Sequence, residues 1–252
     1  MGINGRHDLI KRLQAAQPRG TPFDLIALNK LGVSPQLAAK YVRSGWLVRL
    51  AQGVYSFPGD NLDEHRTIQF LQTKVAGLHV AGKSALALQG VRHNLASRGL
   101  LVLWGDERFK PADWFLSRFP ARYVAARLFA WPDKALGKTT LTTPPGVTPG
   151  LVVSTPERAA LELLYDVGTH EGVEEAHNLF AGMRNLRADI VGRLLTSCTS
   201  IKTVRLFLTW ARETELVNVD SLTRRYPLPI GSEKRWMTRL RDGMLLTLKP
   251  HG

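Results

Sequence analysis

The chain has 252 residues, 44% of them apolar, and its 34 Lys and Arg against 21 Asp and Glu give a net charge of +13. That length allows two domains with cores of their own, the apolar content argues against disorder, and the charge favours an acidic partner, nucleic acid or an anionic surface. No apolar run approaches the roughly eighteen residues of a membrane span and no secretory leader is recognisable, so a cytoplasmic protein without membrane contact is expected. The single cysteine, Cys198, excludes an internal disulfide and a cysteine-based zinc site, and is expected as a buried small residue.

Residues 7–16 repeat Leu9, Ile10, Leu13 and Ala16 at helical spacing until Pro18 and Gly20 stop them. Thr21-Pro22 then reads as a cap and helix start, with Phe23, Leu25, Ile26, Leu28 and Leu31 carrying a second helix to the turn Gly32-Val33. Ser34 and Pro35 repeat that start for a third helix. On it Leu37, Ala38, Tyr41 and Val42 form an apolar stripe, while Gln36, Lys40 and Arg43 recur at i, i+4 and i+7 on the other side. Gly45 is placed to close this helix in the left-handed region, and 46–50 and 54–57 read as the strands of a hairpin turning at Ala51-Gln52-Gly53. Helix, helix, glycine turn, helix and hairpin is the order of a winged helix-turn-helix. Residues 1–60 hold eight Lys and Arg against three Asp and no Glu, and the remaining 192 hold 26 against 18, so charge is about twice as dense in the small N-terminal part.

The turn cluster Pro58-Gly59-Asp60-Asn61 predicts a domain boundary, giving a DNA-binding domain over 1–60 and a C-terminal α/β interaction domain over 61–252. In the latter, 62–75 and 84–89 read as helices and 100–104, 123–129, 138–143 and 151–154 as strands, with a helical turn opening at Pro111. Ser154-Thr155-Pro156-Glu157 combines a capping box with a proline start, and helices over 154–167, 172–183, 186–197 and 201–214 follow as in an antiparallel bundle. A basic stretch over 224–249 ends the chain. The expected fold class is α+β: an N-terminal winged helix-turn-helix followed by a larger mixed α/β domain ending in a helical bundle.

The segments GVSPQLAAKYVRSGWLVRLAQGVYSFPG (32–59), SALALQG (84–90) and VSTPERAALELLYDV (153–167) resemble the AbiEi family of bacterial type IV antitoxins. The resemblance covers about 9–167 and is weaker beyond. It implies a winged helix that represses its own operon and a larger C-terminal domain that counters a nucleotidyltransferase-type toxin. The partners implied are double-stranded operator DNA, in inverted repeats, and a cognate nucleotidyltransferase toxin met directly or functionally.

Several motifs point elsewhere. Gly77-Leu-His-Val-Ala-Gly-Lys-Ser84 matches a phosphate-binding P-loop letter for letter, and LLVLWGDE (100–107) resembles its companion strand. A P-loop needs a buried strand delivering the glycine turn to a helix N-terminus, whereas 71–76 continue a helical pattern; a capped helix start is the plainer reading. An NTP-binding or RNA-processing accessory protein using 77–84 is the alternative function, and nucleotide binding with and without Lys83 would separate the two. Gly231-Ser232 with Asp242 lacks the second carboxylate of a nucleotidyltransferase, Met244 standing in its place, and reads as a helix N-cap. The cluster His170, Glu171, Glu174, Glu175 and His177 lacks zinc-ligand spacing and reads as a solvated acidic helix face. No catalytic residue, metal or cofactor is expected, and the protein reads as a non-enzyme. The candidate DNA-binding residues are Gln36, Lys40 and Arg43 toward the major groove, Arg49 and Gln52 in the wing toward phosphate or the minor groove, and Ser34 as cap and phosphate contact.

Overall fold

The computed structural model describes residues 3–92, 99–131, 134–232, 236–239 and 245–248. From the N-terminus run α1 (Ile3–Ala16), β1 (Phe23–Asp24), α2 (Leu25–Lys30), α3 (Pro35–Arg43), β2 (Val48–Ala51), β3 (Val54–Ser56) and α4 (Glu64–Gln72). Then come β4 (His79–Val80), α5 (Gly82–Leu88), β5 (Leu101–Gly105), α6 (Asp113–Leu116), β6 (Ala121–Ala125), α7 (Lys134–Thr139), β7 (Leu141–Thr142) and β8 (Val153–Ser154). Last are α8 (Pro156–Asp166), α9 (Val173–Ala181), α10 (Ala188–Ser197), α11 (Ile201–Glu213), α12 (Val219–Arg225), β9 (Trp236–Arg239) and β10 (Leu245–Leu248). The fold is α+β, a winged helix-turn-helix followed by a larger mixed α/β part that ends in a helical bundle. No described helix is long and apolar enough to cross a membrane. Two compact units result: Met1–Ala76 with Lys110–Pro120 and Thr148–Leu151, and Gly77–Phe109 with Ala121–Val147 and Val152–Gly252.

In the first unit the apolar stripes of α1, α2 and α3 meet the inner face of a three-stranded antiparallel sheet of order β1-β3-β2. Ile10, Leu13, Phe23, Leu28, Val33, Ala38, Tyr41, Leu47, Tyr55 and Phe57 form one buried cluster. Each large side chain buried there contributes about 1.5–3 kcal/mol. The second helix does not start at Thr21-Pro22. Phe23 and Asp24 pair with Tyr55 and Val54 as β1, and Asp24 is the N-cap of α2, its carboxylate accepting from Ala27 N at 2.9 Å. A 2% exposed Phe23, packed at a tilt against Phe57 with ring centroids 5.1 Å apart, is worth more in the sheet than at a solvated helix start.

The second unit is built on a five-stranded mixed sheet of order β6-β5-β4-β8-β7. All five residues of β5 are buried. Against the sheet, α8 packs with α5, α10 and α11, and nine of its eleven residues are buried, including Glu157, Arg158, Glu162 and Asp166. The capping box expected at its start does not form. Thr155 is the N-cap without a side-chain bond, Ser154 Oγ donates to Glu162 at 2.8 Å, and Glu157 accepts from Arg187 at 2.9 and 3.0 Å. The strand expected over 138–143 is confined to β7 at 141–142, because 134–139 is helical, Thr140 N donating to Leu136 O. α12, begun by the Asn218 side chain capping Ser221 N, runs into the start of the basic stretch. Gly231-Ser232 caps no described helix: Arg205 donates to the Ser232 carbonyl, and the next described residues are the strand β9. Asp242 and Met244 lie outside the described residues. Cys198 is buried as expected, and burial pushes its thiol up to about 11.

Candidate nucleic-acid interface

Ser34 Oγ accepts from Leu37 N at 3.3 Å and Pro35 occupies the first helical position, so α3 starts with its exposed amides partly satisfied. The preceding turn is fixed by Gly32 N to Asn29 O and Val33 N to Leu28 O, both 3.0 Å, which sets α3 against α2. Ala38 and Tyr41 face the core, with Leu37 and Val42 half-buried beside them. Their burial fixes the rotation of the helix and leaves Gln36, Lys40 and Arg43 exposed together on the opposite face. Among the described residues neither Lys40 nor Arg43 is in an ion pair. Two cations and an amide, held on one rigid face, can donate to acceptor atoms on base edges or to phosphate oxygens.

Ser44 caps the end of α3, and Gly45 takes φ 75° so that the chain reverses into the wing. There β2 pairs antiparallel with β3, the register shifting between Arg49 and Ala51, and Gly53 completes the turn at φ 73°. Arg49 and Gln52 are both exposed on this hairpin. Arg49 Nε donates to Ala51 O at 3.3 Å, which holds the guanidinium along the turn. Leu25 N donates to Gly53 O at 3.2 Å and so pins the wing turn to the start of α2. The structure thus displays all six candidates on the first unit, three on one helix face and two on the wing, while the Ser34 oxygen accepts the cap bond and its O–H is left to donate. Sequence reasoning counted Ile26 among the apolar positions of the second helix and placed Trp46 and Val48 in a wing strand without giving them a role, whereas all three are exposed.

The P-loop-like stretch is arranged differently from a nucleotide site. Residues 79–80 inside the motif are β4, a strand at the centre of the sheet, where sequence reasoning found no strand. β5 runs antiparallel to β4, whereas a P-loop unit joins parallel strands through its helix. The place of a phosphate at the start of α5 is taken by the buried Glu162 carboxylate, which accepts from Gly82 N at 3.1 Å, Ser154 Oγ at 2.8 Å, His79 Nε2 at 3.0 Å and Arg158 Nε at 2.7 Å. His79 Nδ1 faces the Gly77 carbonyl at 2.7 Å, so both ring nitrogens face acceptors. Burial works against the charged form of Glu162, but His79 and Arg158 outweigh it and hold the carboxyl down to about 2. Ser84 Oγ accepts from Val102 N at 2.8 Å.

Lys83 Nζ donates to Glu171 at 2.9 Å and Glu175 at 3.4 Å. Burial opposes its charge, and the two carboxylates together overcome that and raise it above the usual lysine value. Glu171 also accepts from Arg122 at 3.1 Å and is buried, so it does not belong to a solvated face as expected; Glu174 and Glu175 do. Among the described residues no group of three His, Cys, Asp or Glu could hold a metal ion.

A family model described as the N-terminal domain of the AbiEi antitoxin transcriptional regulator matches residues 6–97. A second, described as a transcriptional regulator, AbiEi antitoxin of a type IV toxin-antitoxin system, matches residues 98–249. No curated protein sequence matches the chain. Among solved structures, the crystal structure of the RV2827C protein from Mycobacterium tuberculosis is similar, with a TM-score of 0.57 and 15% identity over 93% of this chain and 89% of that one. At that identity the likeness concerns the fold.

Proposed function

The chain belongs to the AbiEi family of transcriptional regulators, the antitoxins of type IV toxin-antitoxin systems, and from that premise we propose that it represses its own operon in the cytoplasm and counters a nucleotidyltransferase-type toxin. In this reading residues 1–60 recognise double-stranded operator DNA, each copy taking one half of an inverted repeat. Gln36, Lys40 and Arg43 enter the major groove, where amide and guanidinium groups pair bidentately with adenine or guanine edges. Arg49 and Gln52 meet phosphate or the minor groove from the wing, and Ser34 adds a phosphate contact at the start of α3. Residues 61–252 serve the antitoxin role without chemistry of their own.

The observation that carries the reading is the split surface of α3, with Ala38 and Tyr41 locked in the core and Gln36, Lys40 and Arg43 exposed opposite them. The P-loop alternative is disfavoured by the carboxylates already bonded to Lys83 and to the amide of Gly82. The test is the double variant Lys40→Ala/Arg43→Ala, with its fold checked by circular dichroism. Repression of a reporter carrying the chain's own upstream region should be lost, while protection from a toxin expressed from an independent promoter should persist. Loss of protection by the folded variant would place part of the antitoxin role on the DNA-reading helix and defeat the proposed division.

A further inference from the structure

Five large apolar side chains are exposed among the described residues, and three of them, Ile26 at 61%, Trp46 at 42% and Val48 at 42%, lie in the short span that builds α2, α3 and the wing. Leu47, between the last two, is buried, while Trp46 and Val48 on either side of it are exposed. The indole stands on a fixed base. Trp46 N and Leu47 N both donate to the Tyr41 carbonyl, at 2.9 and 3.2 Å, which ties this backbone to the last turn of α3. Ile26 is the second residue of the helix whose first amide, that of Leu25, is pinned to the wing turn. The apolar strip therefore borders the cationic one, with Arg43 just before Trp46 and Arg49 just after Val48.

A duplex backbone carries the complementary alternation, apolar deoxyribose rings between anionic phosphates. We propose that Trp46 and Val48 form a non-ionic contact surface for the sugar edges of duplex DNA, the indole lying against deoxyribose beside the phosphates that Arg49 reaches. This rests on the assignment of α3 and the wing to DNA. A second copy of the chain fits the strip less well, because docking two such strips would bring Arg43 and Arg49 of each copy against cations of like sign in a region of net charge +5. Covering an indole that is nearly half exposed removes apolar surface from water without releasing a counterion, so its loss must show in affinity and not in salt dependence.

The full chain is titrated, at several salt concentrations, with a labelled duplex taken from immediately upstream of its own coding region and with a scrambled duplex of the same composition. Trp46→Ala should weaken binding to both by about tenfold or more. Trp46→Phe should recover most of the affinity and Val48→Ser should lose less, with the slope of log K against log salt unchanged throughout. Acrylamide quenching should show one indole shielded by the duplex in the parent chain and none so shielded in Trp46→Phe. Should the parent chain bind neither duplex, the assignment of this unit to DNA falls, and the sugar contact with it. Should the parent bind and folded Trp46→Ala bind equally well, only the sugar contact falls. A parent dimer that Trp46→Ala dissociates, with DNA affinity intact, would give the strip to a second copy and overturn the proposal.

Discussion

The third helix and the P-loop-like stretch both offer a lysine to an anion, yet they stand in opposite electrostatic conditions. Lys40 and Arg43 lie exposed on α3 with no ion pair among the described residues. Lys83 is bonded to two carboxylates, and the amide that would cradle a phosphate already donates to Glu162. An anion approaching Lys83 must displace Glu171, whereas one approaching α3 displaces water and counterions. Anion binding depends on charge left uncompensated, which the order of letters in a motif does not encode. The buried carboxylate of Glu162 shows what the motif does instead: it fastens the start of α5 to α8 through a compensated ionic centre.

The largest expected effect lies on the buried side of that contrast. Glu162→Gln leaves His79 and Arg158 without a counter-charge and should destabilise the second unit by about 3–5 kcal/mol, read from denaturant unfolding. Because the folded-state pKa of Glu162 is depressed from 4.5 to about 2, its stabilisation is fully present above the ordinary value and is lost as pH falls through about 2. The gap between parent and variant should therefore hold near neutrality and close in acid; a gap that widens below pH 4.5 would refute the ionic centre. On the exposed side, Arg43→Ala should leave stability unchanged and lower discrimination between operator and scrambled duplex by about 1–3 kcal/mol in competitive gel shifts. Equal losses on both duplexes would demote Arg43 to a phosphate contact. Smallest is Arg49→Ala, which should weaken binding to all sequences and lower the salt slope by about one unit of log K per log salt. An unchanged slope would put the wing away from the DNA.

The elements that sequence reasoning read correctly are those with local causes. Ser34 and Pro35 start α3, Gly45 ends it, and the spacing of Ala38 and Tyr41 decides which face is left exposed. Where it failed, the deciding partner is remote. Phe23 is a strand residue because Tyr55 pairs with it, and Ser154 and Glu157 abandon their capping box because Glu162 and Arg187 engage them. Nothing local makes room for the buried charges of α8, and only the three-dimensional arrangement that brings Arg122, Arg187 and His79 to them makes their burial tolerable. The same holds for the candidate interface: exposure of Gln36, Lys40 and Arg43 followed from helical spacing, but that of Trp46 and Val48 depends on how little of the hairpin the rest of the first unit covers.

Gly20 ties the link between α1 and β1 to the turn that follows the wing. Its amide donates to Asp60 at 3.1 Å across a separation of 40 residues, its carbonyl accepts from Asp63 N at 2.8 Å, and a Cβ there would stand 2.9 Å from the Asn61 carbonyl oxygen. Arg19 adds an ion pair with Asp60 at 2.6 Å. The stretch from Gly20 to Asp60 is thus a loop whose ends already touch, which limits the entropy cost of ordering it, but its core is completed by Ile10 and Leu13 of α1, so a transplant must carry α1 as well. Its seam, however, includes α4: Asp63 lies just beyond the turn, and Lys74 pairs with Asp24, the cap of α2. A transplant cut after Ala76 carries both clasps with it, while one cut at Asp60 leaves the carbonyl of Gly20 without Asp63 and the carboxylate of Asp24 without Lys74.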